Sequence, residues 1–270
     1  MAVDERFAAL QRLYGEQATT LISDLHVCVV GIGGVGSWAL EALARTGVGT
    51  LTFIDNDEVS LGNVNRQLHA LNETVGRSKV SVMAERVMQI NPRCRCYPID
   101  DFLTMKTLES YLDRGYDYVI DAIDSIQFKA AMIAFCQRRK IPVVATGGAG
   151  GRTDPAAIQV RDLSRTWNDA LAAKVRQRLR GEYGFTRNPK RRFGVECVFS
   201  TQQPVYPKED GSVGPEKPGI HGVSLDCRFG YGSAAFVTAS FGMVAASRAV
   251  NRGLARRMRR AGGAADSSLP

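Results

Sequence analysis

The sequence predicts an α/β fold in which a doubly wound, mostly parallel sheet carries helices on both faces. Short apolar runs alternate with amphipathic stretches along the first 160 residues. A glycine-rich turn follows the first apolar run, and acidic residues follow two of the others. Strands that alternate with helices are typical of βαβ units, which build parallel sheets.

The predicted elements follow from these patterns in chain order. We expect strands at 25–30, 50–54, 95–99, 116–121, 142–145, 158–160 and 193–200. We expect helices at 4–22, from the glycine-rich turn to Thr46, and at 79–90, 104–114, 126–139 and 169–183. The pattern divides the chain into a region of alternating strands and helices at 1–160, a C-terminal extension at 161–252 with a mobile crossover loop at 201–222, and a basic, disordered tail at 253–270.

The run from 229 to 247 is predicted to be a closely packed helix, in the core or at a dimer contact. It holds no charged residue and is long enough to span a bilayer. However, it consists mainly of Ala, Gly, Ser and Thr and contains no Leu or Ile, whereas large apolar side chains drive membrane insertion. Its composition therefore argues against a membrane span.

Composition places the chain among globular proteins, and its charge favours a polyanionic partner. Of its 270 residues 44% are hydrophobic and 23% charged, which excludes a disordered chain, a collagen and a disulfide miniprotein. The 35 Lys and Arg residues against 27 Asp and Glu residues give a net charge of +8. The excess falls in three clusters, at 174–180, 187–192 and 252–260. Such clusters are typical of phosphate-binding surfaces, although they also serve solubility.

The glycine-rich turn predicts a nucleotide site of the Rossmann type. Gly31, Gly33, Gly34 and Gly36 follow a strand and open a helix, where backbone N–H groups and the helix dipole favour phosphate. Asp55 ends the second strand, where an acid commonly binds ribose hydroxyls. The glycine-rich turn and Asp55 are equally typical of an NAD-dependent dehydrogenase, so that alternative stays open at this point.

The residues that follow favour a triphosphate over a dinucleotide. Arg66 is suited to bidentate phosphate binding, and Lys79 supplies a compact positive charge. Asp124 follows the fourth strand at the carboxyl edge of the sheet, where a carboxylate beside phosphates is a candidate Mg²⁺ ligand. Both cations also suit an ordinary helix surface, and Asp124 also suits a helix cap.

Taken together, these residues resemble the adenylation domain of the E1/ThiF/MoeB superfamily over about residues 1–160. The resemblance implies that ATP and Mg²⁺ convert a carboxylate into an acyl-adenylate. It assigns the nucleotide to Gly31, Gly33, Gly34, Gly36, Asp55, Asp57, Asn63, Arg66, Gln67, Lys79 and Asp124. It gives the catalytic roles to Arg66, Lys79, Asp124 as the metal ligand, and an N-terminal arginine donated by the second subunit of a homodimer. Arg12, or alternatively Arg6, is the counterpart here.

Further stretches resemble the tRNA-modifying branch of that superfamily and extend the match to about residue 250. They are 31–38, 145–151, 197–201 and 205–207. This resemblance implies an ATP-dependent dehydratase, or ligase, that cyclises threonylcarbamoyladenosine in the anticodon loop of tRNA and releases AMP and pyrophosphate. It also makes a sulfur-transfer partner of the cysteine desulfurase type conceivable.

Two alternatives to this function remain besides the dehydrogenase. One is an adenylating enzyme for a ubiquitin-like sulfur carrier of the MoeB/ThiF type, although the two C-x-x-C zinc pairs typical of that branch are absent. The other is a non-enzymatic RNA-binding protein that retained the fold.

The six cysteines indicate a reducing compartment rather than a disulfide framework or a zinc site. None forms a C-x-x-C pair, and the first 17 residues are charged with no apolar segment, so we expect a cytoplasmic protein without a secretory signal. Cys197 and Cys227 are interpreted as structural rather than as thioester nucleophiles.

Overall fold

The computed structural model confirms the predicted α/β class. It describes residues 4–208, 210–216 and 232–266, with the side chains of the last helix described up to 260. The strands are β1 (His26–Val30), β2 (Thr50–Ile54), β3 (Arg95–Ile99), β4 (Tyr118–Asp121), β5 (Val143–Thr146), β6 (Ile158–Asp162), β7 (Glu196–Ser200), β8 (Tyr206–Pro207) and β9 (Val213–Gly214). The helices are α1 (Ala8–Tyr14), α2 (Glu16–Ser23), α3 (Gly36–Arg45), α4 (Lys79–Ile90), α5 (Leu108–Leu112), α6 (Ile126–Arg139), α7 (Ala170–Glu182) and α8 (Ala235–Asp266).

Seven strands form one sheet in the order β3-β2-β1-β4-β5-β7-β6, and β8 pairs with β9 in a separate hairpin. All neighbours in the large sheet are parallel except β6 and β7, which pair antiparallel. The order reverses between β1 and β4, and doubly wound sheets bind ligands outside the carboxyl ends of the strands at such a point.

Two apolar layers cover the sheet, one on each face. On one face α2, α3, α4 and α8 pack over side chains such as Val27, Val29 and Ile120. On the other face α5, α6 and α7 pack over side chains such as Cys28, Val119 and Cys197. Successive residues of one strand thus enter opposite cores, as a strand buried on both faces requires.

Helix α8 explains the small residues of the run at 229–247, of which the structure describes 232–247. A Cβ atom at Gly242 would lie 2.5 Å from the Val35 carbonyl oxygen and 2.8 Å from the Ala39 nitrogen, so α8 and α3 approach backbone to backbone. Val237, Phe241 and Ala245 are fully buried on the same side of α8. From Ala235 onward the run is therefore a packed helix, and no helix of the described chain is long and apolar enough to span a membrane.

Three expected boundaries are wrong. The single helix expected at 4–22 is two helices, because Gly15 at φ +84° breaks it. The helix expected at 104–114 spans only α5. The tail expected to be disordered from 253 instead continues α8 as far as Asp266, where Leu254 packs into the core and Arg257 pairs with Asp117 at 2.7 Å. Parts of the expected crossover loop lie outside the described residues, and the division at 160 and 252 stays a prediction.

The α3–α8 contact predicts a specific effect of Gly242→Ala. The added methyl group would have to displace backbone atoms of α3, so we expect a loss of about 1–3 kcal/mol of stability. Thermal unfolding should show a midpoint several degrees lower than that of the parent protein.

Gly181→Ala in α7 is the matched control, because no atom lies within 4 Å of its added Cβ. Alanine favours helix by about 0.5–1 kcal/mol over glycine, so this variant should be as stable as the parent or more stable. Equal midpoints for the two variants would contradict the tight α3–α8 approach.

Candidate active site

The glycine-rich turn between β1 and α3 forms a tight backbone cradle. Gly31 has φ +87°, and a Cβ there would lie 2.9 Å from the Ala122 carbonyl oxygen. A Cβ at Gly36 would lie 1.7 Å from the Gly31 carbonyl oxygen. Gly33 and Gly34 have more room, with nearest atoms at 3.9 and 3.4 Å. The turn is therefore closed toward the sheet and presents the N-terminus of α3 at its edge, which suits a phosphate group.

Asp55 and Lys79 lie beside this turn and share a charged cluster with Asp57. One Asp55 carboxylate oxygen accepts the Ile32 N–H at 2.6 Å, and the other accepts the Asp57 N–H at 2.9 Å. The buried Lys79 ammonium donates to Asp57 at 2.6 Å and lies 3.9 Å from Asp55. An ammonium has three donors, so this pairing leaves capacity for a second anion.

His69 is a buried neutral neighbour of this cluster. Its side chain is 2% exposed. Burial and, to a lesser degree, the Lys79 charge lower the pKa of His69 to about 4. His69 is therefore uncharged near neutral pH and does not add to the positive charge of Lys79.

Arg66 and Gln67 border the glycine-rich turn from the other side. The Cβ position of Gly34 lies 3.4 Å from the Arg66 Cγ, and that of Gly33 lies 3.9 Å from the Gln67 amide nitrogen. The Arg66 guanidinium donates to the Gly62 carbonyl at 2.7 Å and to the Asn65 side chain at 3.0 Å. Both predicted residues thus adjoin the glycine-rich turn.

Two residues that sequence reasoning missed fix the backbone of Arg66. The Trp38 indole N–H donates to the Arg66 carbonyl oxygen at 3.1 Å, and the Thr238 hydroxyl donates to the same oxygen at 3.2 Å. They come from α3 and α8, far from Arg66 in the sequence. The one signal in the sequence was the small-residue composition of the α8 region, which indicated that another element packs closely against that helix.

Asn63 caps a short helical turn in the structure. Its side-chain oxygen accepts the Ser60 N–H at 3.1 Å, in a reciprocal capping arrangement with Ser60. The residue before Asn63, Gly62, accepts a hydrogen bond from the Arg66 guanidinium through its carbonyl oxygen. A role of Asn63 in nucleotide binding stays a prediction.

Asp124 lies on the loop that follows β4 and touches the glycine-rich turn. It is exposed, and no hydrogen bond or ion pair links it to another described residue. Its neighbour Ile123 lies 2.9 Å from the Cβ position of Gly31. Asp124 is therefore a carboxylate next to the candidate phosphate site, although the described residues hold no group of three or more His, Cys, Asp or Glu side chains suited to a metal.

A buried ion pair that sequence reasoning missed holds this loop. The Lys129 ammonium donates to the Asp121 carboxylate at 2.8 Å and to the Ile123 carbonyl at 2.8 Å, and both side chains are almost fully buried. Burial raises the pKa of Asp121 to about 6, against the opposing effect of Lys129. The one signal in the sequence was a lysine inside the apolar stretch 128–134.

Arg12 lies apart from this cluster within the chain. It is an exposed residue of α1, and Phe7, which precedes that helix, packs beside Gly47 after the far end of α3. The alternative, Arg6, pairs with Asp4 at 3.2 Å. Of the catalytic residues predicted from the sequence, Arg66, Lys79 and Asp124 thus converge at one edge of the sheet, and Arg12 does not join them in one chain.

Four of the five described cysteines are too buried to supply a nucleophile to this site. Cys28, Cys94, Cys136 and Cys197 are buried, and burial raises the pKa of the Cys197 thiol. Cys227 lies outside the described residues. Those thiols therefore suit packing better than thioester chemistry.

Comparison with known proteins agrees with this geometry. A model described as the ThiF family matches residues 5–253. The chain belongs to the ThiF family. The similarity to tRNA threonylcarbamoyladenosine dehydratase from Escherichia coli (strain K12) reaches 54% identity over 256 residues, which cover 94% of this chain and 96% of that one. The family resemblance and the fold predicted from the sequence are confirmed.

A solved structure extends the comparison to the nucleotide. The crystal structure of the E. coli dehydratase in complex with ATP has a TM-score of 0.85 and 50% identity, covering 96% of this chain and 99% of that chain. By contrast, E. coli molybdopterin-synthase adenylyltransferase is 35% identical over 123 residues, which cover 46% of this chain and 49% of that one. The sulfur-carrier branch is thus a more distant relative than the dehydratases.

The buried Asp121–Lys129 pair predicts pH-dependent stability in Lys129→Met. At pH 8 the variant would leave a buried carboxylate without its cation, which typically costs about 3–5 kcal/mol. At pH 5, below the pKa of about 6, Asp121 is largely protonated in the folded protein. Removing Lys129 therefore costs less stability at pH 5 than at pH 8. The gap in unfolding midpoint between parent and variant should therefore be larger at pH 8 than at pH 5.

The control is the double variant Asp121→Asn, Lys129→Met, which removes both charges. Its gap from the parent should not widen between pH 5 and pH 8 as that of Lys129→Met does. A single variant with the same gap at both values would show that the pair does not control the loop's stability.

Proposed function

We propose that this protein uses ATP to dehydrate threonylcarbamoyladenosine in the anticodon loop of tRNA. The observation that carries the proposal is the 54% identity to a dehydratase of that name over 96% of its length. The cluster of Gly31, Gly33, Asp55, Arg66 and Lys79 at one sheet edge supports it, because a nucleotide site is what the reaction needs there.

The proposed reaction has two steps. A threonyl carboxylate oxygen attacks the α-phosphorus of ATP, which forms an acyl-adenylate and releases pyrophosphate. The carbamoyl nitrogen of the same nucleoside then attacks the activated carbonyl carbon, loses its proton and expels AMP, which closes a five-membered ring. The net change is loss of one water, and the C–N bond formed makes this ligase chemistry. Because nucleophile and electrophile share one molecule, proximity supplies much of the rate.

The protein must then neutralise phosphate charge and hold the nucleotide in place. We assign the phosphates to the N–H groups of the glycine-rich turn, and the ribose hydroxyls to Asp55. Arg66 and Lys79, with the amides of Asn63 and Gln67, face the triphosphate, and Asp57 orients the Lys79 ammonium. Cations fixed before the reaction stabilise charge that develops on the α-phosphate without reorganisation.

We assign Mg²⁺ to Asp124. Its exposed carboxylate beside the phosphate cradle fits a cation that is commonly held by one or two carboxylates together with substrate phosphates. When bound, Mg²⁺ neutralises phosphate charge. Lys79 pairs with residues that follow β2, whereas Asp124 follows β4 on the other side of β1, and the two charges form no ion pair with each other.

We further propose that the protein acts as a homodimer in which Arg12 reaches the partner's site. Leu13, next to Arg12, is 74% exposed, and Leu61 near the glycine-rich turn is 68% exposed. A second copy that covered these apolar side chains would bring α1 to the phosphate edge. Cytoplasmic location fits a tRNA substrate, and a sulfur-transfer partner stays a prediction from the resemblance alone.

The basic cluster at 187–192 is proposed to hold the tRNA backbone. Arg187, Lys190, Arg191 and Arg192 are exposed, and none of them forms an ion pair within the described chain. They precede β7, so about 17 Å of strand separates them from the carboxyl edge. A helical RNA stem at the cluster would leave its loop free to reach the nucleotide site. Helix α7, with its own exposed Lys174, borders the same surface.

Removing the charge of Lys79 or of Asp124 should strongly slow the formation of the acyl-adenylate. We expect Lys79→Ala and Asp124→Ala to lower AMP formation from ATP and modified tRNA by at least about 100-fold, because each removes charge compensation at the phosphates. Mass spectrometry of the tRNA nucleosides should show the loss of water with the parent protein alone.

Arg93→Ala is the control, since it removes an exposed arginine that precedes β3, at the sheet edge farthest from β7 and the 187–192 cluster. Full turnover by Lys79→Ala or Asp124→Ala would remove that residue from the mechanism. Pyrophosphate exchange that needs a purified sulfur-carrier protein instead of tRNA would support the MoeB/ThiF alternative.

Loss of the basic cluster should weaken tRNA binding and leave ATP binding intact. The variant replaces Arg187, Lys190, Arg191 and Arg192 with Ala. Fewer phosphate contacts release fewer counterions, so the affinity should fall at least about tenfold and depend less steeply on salt. Filter binding at several salt concentrations measures both effects.

A charge-matched comparison replaces four arginines of the 252–260 cluster, Arg252, Arg256, Arg259 and Arg260, with Ala. If both variants weaken binding equally, net charge rather than the 187–192 surface governs affinity. Unchanged affinity of the first variant would refute the assignment of that surface.

A further inference from the structure

Trp167 is a large aromatic side chain that the proposed mechanism does not use. It follows β6 and precedes α7, and 44% of its surface is exposed. Its ring meets Phe199 in a T-shaped contact with centroids 4.9 Å apart. Such a contact with a single buried ring leaves much of the indole open to a ligand.

The backbone on both sides fixes the outward placement of Trp167. On one side Thr166 is buried, donates its hydroxyl to the Leu163 carbonyl at 3.1 Å and accepts from Arg176. On the other side Asn168 donates to the Thr201 carbonyl at 2.8 Å, in the left-handed conformation at φ +51° that is uncommon for a residue other than glycine. The indole is therefore preorganised at the surface.

Trp167 lies at the carboxyl edge of the sheet, on the same edge as the nucleotide site. Asp169, two residues on, accepts the Gly148 N–H at 3.0 Å, just after β5. Thr146, at the end of β5, donates its hydroxyl to the Asp121 carbonyl at 3.0 Å. Its partner Phe199 belongs to β7, and one strand separates β7 from β4, so about 10 Å of lateral strand spacing lies between β7 and the strand whose loop carries Asp124.

The charges around Trp167 favour a polyanion. Arg165 is exposed and donates to the Lys190 carbonyl at 3.2 Å, which joins this segment to the 187–192 cluster. Lys174, on the first turns of α7, is also exposed. Within the described chain neither Arg165 nor Lys174 forms an ion pair, so the segments that flank Trp167 carry two uncompensated positive charges.

We propose that Trp167 stacks on an unpaired base of the RNA loop whose modified adenosine occupies the nucleotide site. Proteins recognise single-stranded RNA loops by stacking splayed bases on aromatic side chains, next to cations that hold the backbone. A lateral spacing of about 10 Å between the two strands suits a base near the reacting nucleoside rather than the nucleoside itself. This inference rests on the proposed tRNA substrate and adds the group that holds the loop.

The test compares binding of two RNAs: an anticodon stem–loop that carries threonylcarbamoyladenosine, and a blunt RNA duplex of equal length. Trp167→Leu should weaken stem–loop binding about tenfold, because base–aromatic stacking is lost, and leave duplex binding unchanged. Trp167→Phe should retain most of the affinity. Tyr97→Leu, which removes an aromatic residue 48% exposed on the strand at the opposite sheet edge, should bind both RNAs like the parent.

Fluorescence supplies a direct readout, because the chain contains two tryptophans, Trp38 and Trp167. The stem–loop should quench the parent protein, and the quenching should be lost in Trp167→Phe. Unchanged stem–loop affinity of Trp167→Leu, or equal losses on both RNAs, would overturn the stacking. Product formation by the parent protein tests the proposed function separately, since dehydration without a Trp167 effect on binding would reject the stacking alone.

Discussion

The site depends on backbone atoms that touch where no side chain fits. Gly36 lies against the carbonyl oxygen of Gly31, and Gly31 lies against that of Ala122. The first contact closes the β1–α3 turn on itself, and the second holds that turn against the β4–α6 loop, which carries Asp124 two residues after Ala122. A side chain at Gly36 would distort the phosphate cradle, and one at Gly31 would push it away from the carboxylate, so the two contacts fix their relative positions. Lys129 holds the same loop from the inside, which makes the carboxyl edge of β4 rigid on both sides.

The cations of the site are held in place by groups of the protein itself. Lys79 is paired with Asp57 and lies near Asp55, and Arg66 donates to a backbone carbonyl. A cation that is already oriented loses little conformational entropy when it binds a phosphate. Electrostatic catalysis requires such preorganised charges. The pairing also keeps the buried Lys79 charge compensated, since a buried ammonium without a partner would be strongly destabilised.

Local patterns predicted the part of the fold that local forces determine. Alternating apolar and amphipathic runs indicated β1 to β5 with their helices, and the glycine spacing indicated the phosphate cradle. Each of these patterns depends only on residues within a continuous segment of about ten residues. The missed features depend on distant partners. Lys129 is interpretable only once Asp121 is known to be buried beside it, and Trp38 and Thr238 act on Arg66 across 28 and 172 residues. The helical tail was missed for a related reason. Arg257 in that helix donates to the Asp117 carboxylate, which lies 140 residues away in the sequence.

The two faces of the sheet carry different halves of the proposed chemistry. The nucleotide residues other than Asp124 come from the face covered by α3, α4 and α8, whereas the basic cluster and Trp167 lie beside α6 and α7. The faces meet at the carboxyl edge, where Thr146 bonds to the Asp121 carbonyl and Gly148 bonds to Asp169. A substrate that must present a carboxylate to ATP while its polyanionic body is held elsewhere needs such a junction. The doubly wound topology supplies it, since β4 and β5 lie between the two halves and hold both at fixed spacing.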